Sequence, residues 1–245
     1  MGKAFVKIER LSRAFKPQGI KALDDVTLII EEGEYVALIG PSGSGKTTLL
    51  NIVAGVDRPT SGSIWVNGVP INEMKDRAQT AWRHQNVGFI FRTPNLVPVL
   101  TARENIGLPL RLAKLPRQQK RARIDWVLEF VGLSQHENSY PRKLSSEQQQ
   151  RVAIGRAIAM DPPLILADEP TGELNAQATE EVLILLGRLR SEQGKTVVLA
   201  THDEGVARHA QSTRHLDKGI SIEAQAVTGR AQAVTGRAHG LPDIR

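Results

Sequence analysis

The sequence Gly40-Pro41-Ser42-Gly43-Ser44-Gly45-Lys46-Thr47 forms a glycine-rich loop between two regular elements. Residues 35–39 before it are apolar and predict a buried strand, and residues from about 46 to 54 predict a helix. The glycines at 43 and 45 let the backbone curl so that successive N–H groups face an anion. The motif and its strand–turn–helix context together predict a phosphate-binding P-loop; the alternative is a glycine-rich turn without function.

The P-loop chemistry assigns a role to most residues of the loop and of the first helical turn. The helix N-terminus adds a positive dipole end that favours phosphate. Lys46 is expected to reach the β- and γ-phosphates, and the Thr47 hydroxyl is expected to ligate Mg²⁺. The predicted phosphate-binding set is Gly40, Ser42, Gly43, Ser44, Gly45, Lys46, Thr47 and Thr48.

Two other apolar runs end in polar residues that complete such a site. Residues 164–167 end in Asp168 and Glu169, and residues 196–200 are followed by Thr201 and His202. Asp168 is expected to hold Mg²⁺ through water, and Glu169 is expected to polarise the attacking water. Because ligands of a parallel sheet bind at the carboxyl ends of its strands, His202 is expected to contact the γ-phosphate. The predicted catalytic residues are Glu169 and His202, and the predicted metal residues are Thr47 and Asp168.

Further along the chain, strands alternate with helices, which predicts a largely parallel sheet with crossover helices. Residues 3–33 predict strands, Asn67-Gly68 predicts a tight turn, and residues from about 95 to 160 are predicted to be mostly helical. A helix is expected around residues 179–190. The last residues contain a tandem repeat of seven, at 224–230 and 231–237, which we interpret as a duplication in a mobile tail rather than as a binding module.

The composition narrows the possible classes of protein without naming one. The formal net charge of +6 fits nucleic acid or an anionic membrane face as a partner, but general surface basicity is favoured because no large block of charge stands out. Aromatic residues make up only 4% of the chain, which argues against a base-stacking surface. No apolar run approaches the roughly 18 residues that a membrane-spanning helix needs.

In this order, the P-loop, the Asp168-Glu169 pair and His202 resemble those of ATP-binding-cassette (ABC) ATPase subunits over residues 3–222. Three further sequences resemble the group that serves lipoprotein release, macrolide export and cell division: Asn95-Leu96-Val97-Pro98, Thr101-Ala102-Arg103-Glu104-Asn105 and Gln148-Gln149-Gln150-Arg151. The resemblance implies an α/β fold: a P-loop NTPase core with a mainly parallel sheet, an N-terminal antiparallel β subdomain and an inserted helical subdomain. The expected division is 1–222 for the ABC domain, about 93–160 for the helical subdomain and 223–245 for the tail.

The resemblance also implies how the protein works. Two cassettes would bind two ATP molecules head to tail, each between the P-loop of one chain and the Leu-Ser-Gly-Gly-Gln helix of the other, and closure would move transmembrane ABC subunits. We therefore expect ATP and Mg²⁺, a second ATPase subunit in a homodimer or heterodimer, and a peripheral location on the cytoplasmic face of the cell membrane. No nucleic acid is expected as a partner. Phe15 matches the aromatic residue that stacks on adenine, with a simple core role as the alternative.

Three positions depart from the pattern of the family. Leu144-Ser145-Ser146-Glu147-Gln148 replaces both glycines of the signature, although Ser145 still fits a helix cap, a capping box with Gln148 and a hydroxyl donor. At about 4 Å and an effective dielectric of about 20, the Glu147 carboxylate would repel a phosphate charge by roughly 4 kcal/mol, an upper value. Arg92 replaces the Q-loop glutamine; it cannot ligate a metal but is able to pair with phosphate. Asn175 stands where the D-loop has aspartate.

Two of these departures lie in elements that act on the partner's site. We therefore expect one half of an asymmetric pair, which binds ATP well but offers a weak signature, or else a homodimer with low or regulated ATPase activity. Two other possibilities remain: a soluble ABC ATPase that acts on nucleic acid or ribosomes, and an ATP-responsive scaffold that hardly hydrolyses.

Overall fold

The structure is a computed structural model that describes residues 2–15 and 19–226. From position 227 onward, the predicted tail with most of its duplicated segment lies outside the described residues. Within the part of the chain that is described, no helix is long and apolar enough to cross a membrane.

The described strands and helices alternate along the chain after an N-terminal pair of long strands. The strands are β1 (Ala4–Phe15), β2 (Ile20–Glu31), β3 (Tyr35–Ile39), β4 (Ser61–Val66), β5 (Val69–Pro70), β6 (Val87–Ile90), β7 (Leu164–Asp168), β8 (Thr196–Thr201), β9 (Ser212–Asp217) and β10 (Ile220–Ala226). The α-helices are α1 (Lys46–Val53), α2 (Asp76–Asn86), α3 (Ala102–Gly107), α4 (Arg117–Phe130), α5 (Ser146–Ile158), α6 (Ala176–Ser191) and α7 (Glu204–Ala207). Short 3-10 helices cover Ile71–Glu73, Pro109–Arg111, Ser134–His136 and Pro141–Lys143.

These strands form two sheets, which confirms the predicted fold class. The N-terminal sheet has the order β2-β1-β4-β5 and is antiparallel throughout. The larger sheet has the order β10-β9-β3-β8-β7-β6, and only the edge pair β10–β9 is antiparallel. Helices connect its parallel strands, as crossovers between parallel strands require.

The larger sheet is buried on both faces, which explains why its strands are apolar without alternation. In β3, Tyr35, Ala37 and Ile39 face one core cluster together with side chains of α3 to α6. Val36 and Leu38 face a second cluster, which the N-terminal sheet and α1 complete. The sheet therefore holds the ends of its strands rigidly between two packed layers.

Most of the elements predicted from the sequence are present, and several others are added. At the predicted turn Asn67-Gly68, φ is 48° and 76°, and such paired positive values are typical of tight hairpin turns. Three α-helices lie in the region predicted to be mostly helical, but residues 91–101 are irregular. The elements that were not predicted are β5, β6, β9, β10, α2 and α7. Strand β6 has only four residues and includes Gly88, whose missing side chain lets Ala157 of α5 approach closely.

Candidate nucleotide site

The carboxyl ends of four parallel strands meet at one edge of the larger sheet. Ile39 of β3 pairs with Thr201 of β8, Asp168 of β7 lies opposite Ala200, and Ile90 of β6 lies opposite Ala167. The loops that follow these strands therefore leave the sheet at the same level. This register brings the P-loop, the two acids and His202 to one place, as predicted.

The P-loop packs closely against neighbouring strands, and this contact restricts its backbone conformation. Gly43 and Gly45 have φ of 80° and 100°, which glycine adopts without strain. A Cβ on Gly40 would lie 2.1 Å from the carbonyl oxygen of Leu216, and one on Gly45 would lie 2.3 Å from that of Ala22. The glycines are needed for close packing as well as for phosphate approach, and the packing requirement is not apparent from the sequence.

Inside this loop, the Lys46 ammonium donates hydrogen bonds to the carbonyl oxygens of Gly40, at 2.7 Å, and Pro41, at 3.0 Å. Ser44 is buried, and its hydroxyl has no hydrogen-bond partner among the described residues. Ser42 is exposed, and Thr48 lies in the first turn of α1. A buried hydroxyl without a partner beside a fixed ammonium fits a phosphate cradle.

Thr47 and Asp168 meet across the two halves of the site. The Thr47 hydroxyl donates to Asp168 Oδ2 at 2.8 Å, while the buried Oδ1 has no hydrogen-bond partner in the described structure. Burial raises the pKa of Asp168 above its usual range, the nearby Glu169 charge raises it further, and Thr47 and Lys46 oppose the shift. A hydroxyl and a carboxylate with a free oxygen are ligands that suit Mg²⁺.

Glu169 and His202 form the second predicted pair. Their Oε1 and Nδ1 atoms lie 2.7 Å apart, and the imidazole is largely exposed. Glu169 has φ of 48°, which is unusual for a residue other than glycine, and its N–H donates to Ala200 O. This backbone bend turns the chain directly after β7 and holds Glu169 next to the end of β8.

Ser145 lies at the N-terminus of α5 and makes the predicted capping box. Its Oγ accepts from Gln148 N at 3.2 Å, and Gln148 Oε1 accepts from Ser145 N at 3.0 Å. The amide nitrogen of the Gln148 side chain lies 3.1 Å from Nε2 of His136. The helix therefore keeps a well-formed N-terminus in spite of the two replaced glycines.

Comparisons with known proteins agree with this geometry. The family model described as "ABC transporter" matches residues 23–172. An uncharacterized ABC transporter ATP-binding protein of Mycobacterium tuberculosis is 41% identical over 89% of this chain and 89% of its own length. The lipoprotein-releasing system ATP-binding protein LolD of Bordetella avium is 38% identical over 88% of this chain and 95% of its own.

The chain belongs to the ABC transporter family. A solved dimer of the ATP-binding cassette MJ0796, bound to ADP and Pi, superimposes with a TM-score of 0.83 at 40% identity, covering 92% of this chain and all of that one. An MJ0796 protein of Methanocaldococcus jannaschii is named as an uncharacterized ABC transporter ATP-binding protein. The relatives agree with the predicted lipoprotein-release group. As an ABC cassette, the chain is the ATP-binding subunit of a membrane transporter that couples ATP hydrolysis to transport, and cassettes of this family form dimers.

The Q-loop position of this cassette is turned toward its own D-loop. Arg92 Nε lies 3.6 Å from Glu173 Oε1, and Arg92 Nη2 lies 3.5 Å from Gly172 O. Thr93 donates its hydroxyl to the same Glu173 oxygen at 3.2 Å. Arg92, predicted to pair with phosphate, thus has an anionic partner on the D-loop.

In the signature, the charge of Glu147 is partly compensated. Its Oε1 lies 2.7 Å from Nε of Arg151, one turn further along α5, and Arg151 also pairs with Glu181 of α6. An arginine shared between two acids neutralises part of the Glu147 charge. The repulsion expected from a free carboxylate is therefore an overestimate.

Phe15 lies outside both core clusters, at the end of β1, so the alternative of a core residue is wrong. Its ring is 40% exposed, with the guanidinium carbon of Arg13 4.5 Å from the ring centroid. Phe15 pairs with Ile20 of the hairpin, and Ala22 of the same strand packs on the P-loop. This places an exposed aromatic ring on the strand pair that supports the loop.

Two residues that hold α5 against the site were not predicted. Gln150 is 1% exposed and donates from Nε2 to Phe91 O at 3.0 Å, next to the Q-loop position. Arg156 donates to the carbonyl oxygens of Pro94 and Asn95. These contacts were not predicted because the residues that form them are far apart in the sequence. Polar residues on the buried side of a helix nevertheless indicate that such hydrogen bonds exist.

Proposed function

We propose that this cassette pairs head to tail with a second ATPase subunit on the cytoplasmic face of the membrane. ATP-driven closure of the pair would move separate transmembrane subunits. The signature that this chain offers would limit hydrolysis of the nucleotide bound to its partner's P-loop. The division into a domain at 1–222 with a helical subdomain at about 93–160 belongs to the same proposal, as does the docking of the membrane subunit near residues 92–98.

The observation that carries the proposal is the difference between the two halves of a composite site. On its own nucleotide the chain presents Lys46, the Thr47–Asp168 contact and the Glu169–His202 contact. To the partner it presents an α5 whose first two residues are Ser146 and Glu147. Glycine at those places would leave backbone N–H groups open to a phosphate, whereas side chains obstruct a close approach.

In hydrolysis, each residue of the chain's own half has a specific task. Lys46 would neutralise charge on the terminal phosphates, and the loop N–H groups would hold them in place. Glu169 would accept a proton from the attacking water, and His202 would orient Glu169 and the phosphate. Thr47 and Asp168 would hold Mg²⁺, which supplies charge neutralisation across the phosphates. Phe15 would stack on adenine.

Because Glu147 pairs with Arg151, we expect the signature to slow hydrolysis rather than abolish it. A chain that assembles with itself would then have two slow sites. A chain that assembles with a partner bearing a complete signature would have one fast site and one slow site. In the mixed pair, the fast site would use this chain's own P-loop and Glu169.

The test is ATP turnover by the purified chain, with nucleotide binding measured on the same samples. We expect tight binding with turnover clearly below about 1 s⁻¹, the lower end of ordinary enzyme rates. Turnover at or above that rate by the chain alone would contradict the proposal. A Glu169→Gln sample provides the background rate, because it retains the phosphate loop but lacks the general base.

A further inference from the structure

One segment of this chain has a marked excess of positive charge. The chain has 32 lysines and arginines against 26 aspartates and glutamates. Residues 105–124 contain six of these cations and no acid, so the remaining residues carry 26 charges of each sign. The charge of this segment, which runs from α3 into α4, equals the formal net charge of +6 of the whole chain. The expectation that charge is spread rather than blocked does not hold for this segment.

Five of the six cations lie on the surface. Arg111, Lys114, Arg117 and Arg121 are exposed, and Lys120 is partly exposed. The sixth, Arg123, is buried against the end of α5, where it bonds to the carbonyl oxygens of Ile158 and Ala159. We call the five surface residues, Lys120 included, the basic rim.

Helix geometry aligns part of the rim. In α4, Arg117, Lys120 and Arg121 are separated by three and four residues, so they share one face of the helix with Ile124. The first turn of α4 contains no acidic residue, and no side chain caps it. Cations near a helix N-terminus oppose the dipole, so this arrangement does not serve the stability of the helix.

The rim also has few counter-charges. Among the residues that the structure describes, no member of the rim forms an ion pair, whereas its neighbours Arg103 and Arg123 pair with Asp125, Glu137 and Asp161. Arg111 interacts with the charge of Glu104, but that carboxylate is already held in the capping box of α3. The positive field of the rim is therefore directed to solvent.

Apolar surface lies directly beside these charges. Between α3 and α4 is a cavity of about 420 Å³, lined by Gly107, Leu110 and Ile124 together with the charged residues Arg103, Glu104, Arg111 and Lys120. Leu112, next to Arg111 in the sequence, is 79% exposed. Cations beside an exposed aliphatic side chain fit the boundary between lipid headgroups and acyl chains.

The rim is continuous with the proposed docking surface of the membrane subunit. Asn105 of α3 is buried; its side chain accepts a hydrogen bond from Val97 N at 2.8 Å and donates to Leu100 O and Thr101 O at 3.0 Å each. These bonds fix residues 97–101 onto α3. The segment at 92–98 therefore lies beside α3, and α3 in turn packs against α4, which carries part of the basic rim.

We infer that the basic rim binds the anionic phospholipid headgroups of the membrane that holds the transporter's membrane subunits, with Leu112 beside the acyl chains. The inference rests on the proposed membrane attachment of the cassette, which places the rim within reach of the lipid surface. Nucleic acid fits less well, because no aromatic side chain lies in the rim or lines the cavity to stack on bases.

The experiment measures binding of the purified full-length chain, without nucleotide, to vesicles of phosphatidylcholine alone and of phosphatidylcholine with phosphatidylglycerol. We expect binding to the anionic vesicles only, weakening as salt is added. Because each cation near an anionic surface contributes about a fivefold factor, the triple variant Arg117→Gln/Lys120→Gln/Arg121→Gln should bind on the order of a hundredfold more weakly.

A matched triple variant removes the same charge elsewhere. Lys75, Arg77 and Arg208 are exposed and form no ion pair in the described structure, so Lys75→Gln/Arg77→Gln/Arg208→Gln should retain nearly all of the binding. ATP affinity and melting temperature should be the same for both triple variants. Equal loss in both, or equal binding to both kinds of vesicle, would overturn the inference.

Two further measurements separate other partners. Tighter binding of a single-stranded oligonucleotide than of anionic vesicles at the same salt, lost in the rim variant, would replace lipid by nucleic acid. In the transporter reconstituted in phosphatidylcholine alone, the rim variant should couple ATP hydrolysis to transport as well as the unaltered chain does. A loss of coupling there would indicate that the rim binds an acidic segment of the membrane subunit instead of lipid. Vesicle binding does not depend on ATP hydrolysis. ATP turnover at an ordinary enzyme rate would therefore contradict the proposal that the signature slows hydrolysis, but it would not affect this inference.

Discussion

The two regions of this chain that are proposed to contact nucleotide differ in how they are built. The half that acts on the chain's own nucleotide has its side chains at the ends of strands buried on both faces, in contact with one another. The start of α5 projects from the helical region and is held by Gln150 and Arg156 through the irregular segment at 91–95. A buried strand end tolerates little change, whereas a helix start keeps its cap with several different residues.

This difference explains how the signature departs from the pattern without loss of the fold. Ser145 and Gln148 satisfy the helix N-terminus, and Glu147 and Arg151 form a pair within α5. Replacing the glycines at 146 and 147 favours the helix, since glycine is the poorest helix former after proline. We expect the same replacements to oppose the approach of a partner's phosphate.

The largest effect should come from the chain's own half. Glu169→Gln removes the general base and should lower ATP turnover by about 10²–10⁴-fold. The phosphate loop is untouched, so ATP affinity should stay close to that of the unaltered chain. Steady-state turnover checks the expected loss of activity, and equilibrium nucleotide binding on the same preparation checks that ATP affinity is unchanged. A variant that keeps its turnover would remove Glu169 from the catalytic residues.

A smaller effect of opposite sign should come from the other half. Ser146→Gly/Glu147→Gly opens the start of α5 and should raise turnover about tenfold, equivalent to ~1.4 kcal/mol. ATP affinity in the absence of a partner should not change. Glu147→Gln is the matched control, because it removes charge but keeps bulk. If this control reproduces the whole gain, charge is the obstacle and the argument from side-chain bulk is wrong.

The contact between the Q-loop position and the D-loop should matter less. Arg92 and Glu173 are both about half exposed, and exposed ion pairs contribute about 0.2–1 kcal/mol, so Arg92→Gln should raise turnover less than about fivefold. An amide oxygen is able to accept a hydrogen bond, which guanidinium is not. Arg92→Gln in a Glu173→Gln background separates loss of the ion pair from gain of the amide oxygen. If turnover rises by the same factor there, the pair with Glu173 plays no part.

The smallest effect is expected at the D-loop. Asn175 accepts a hydrogen bond from Ala178 N at 2.9 Å as the cap of α6, and asparagine and aspartate cap equally well. Asn175→Asp should therefore shift the melting temperature by less than about 2 °C and leave turnover nearly constant. A large rise in turnover would mean that the signature is not the main deficiency of this chain.

The sequence predicted the chain's own half of the site better than the half offered to a partner. The P-loop and the acids after residues 164–167 follow local patterns, in which each residue's role depends on its neighbours in the chain. The Arg92–Glu173 contact and the Glu147–Arg151–Glu181 chain of ion pairs depend on how loops and helices pack. The small strand β6 was missed for a related reason, because Gly88 is explained only by the approach of Ala157.

The most direct test of the central claim asks on which chain a repaired signature must lie. Two mixed dimers, each isolated through two different affinity tags, carry one Glu169→Gln chain and one chain with Glu169 intact. In the first, Ser146→Gly/Glu147→Gly is on the Glu169→Gln chain; in the second, it is on the other chain. The account predicts about tenfold faster ATP turnover in the first dimer, where the repaired signature faces the active P-loop. Equal rates, or a faster second dimer, would contradict it.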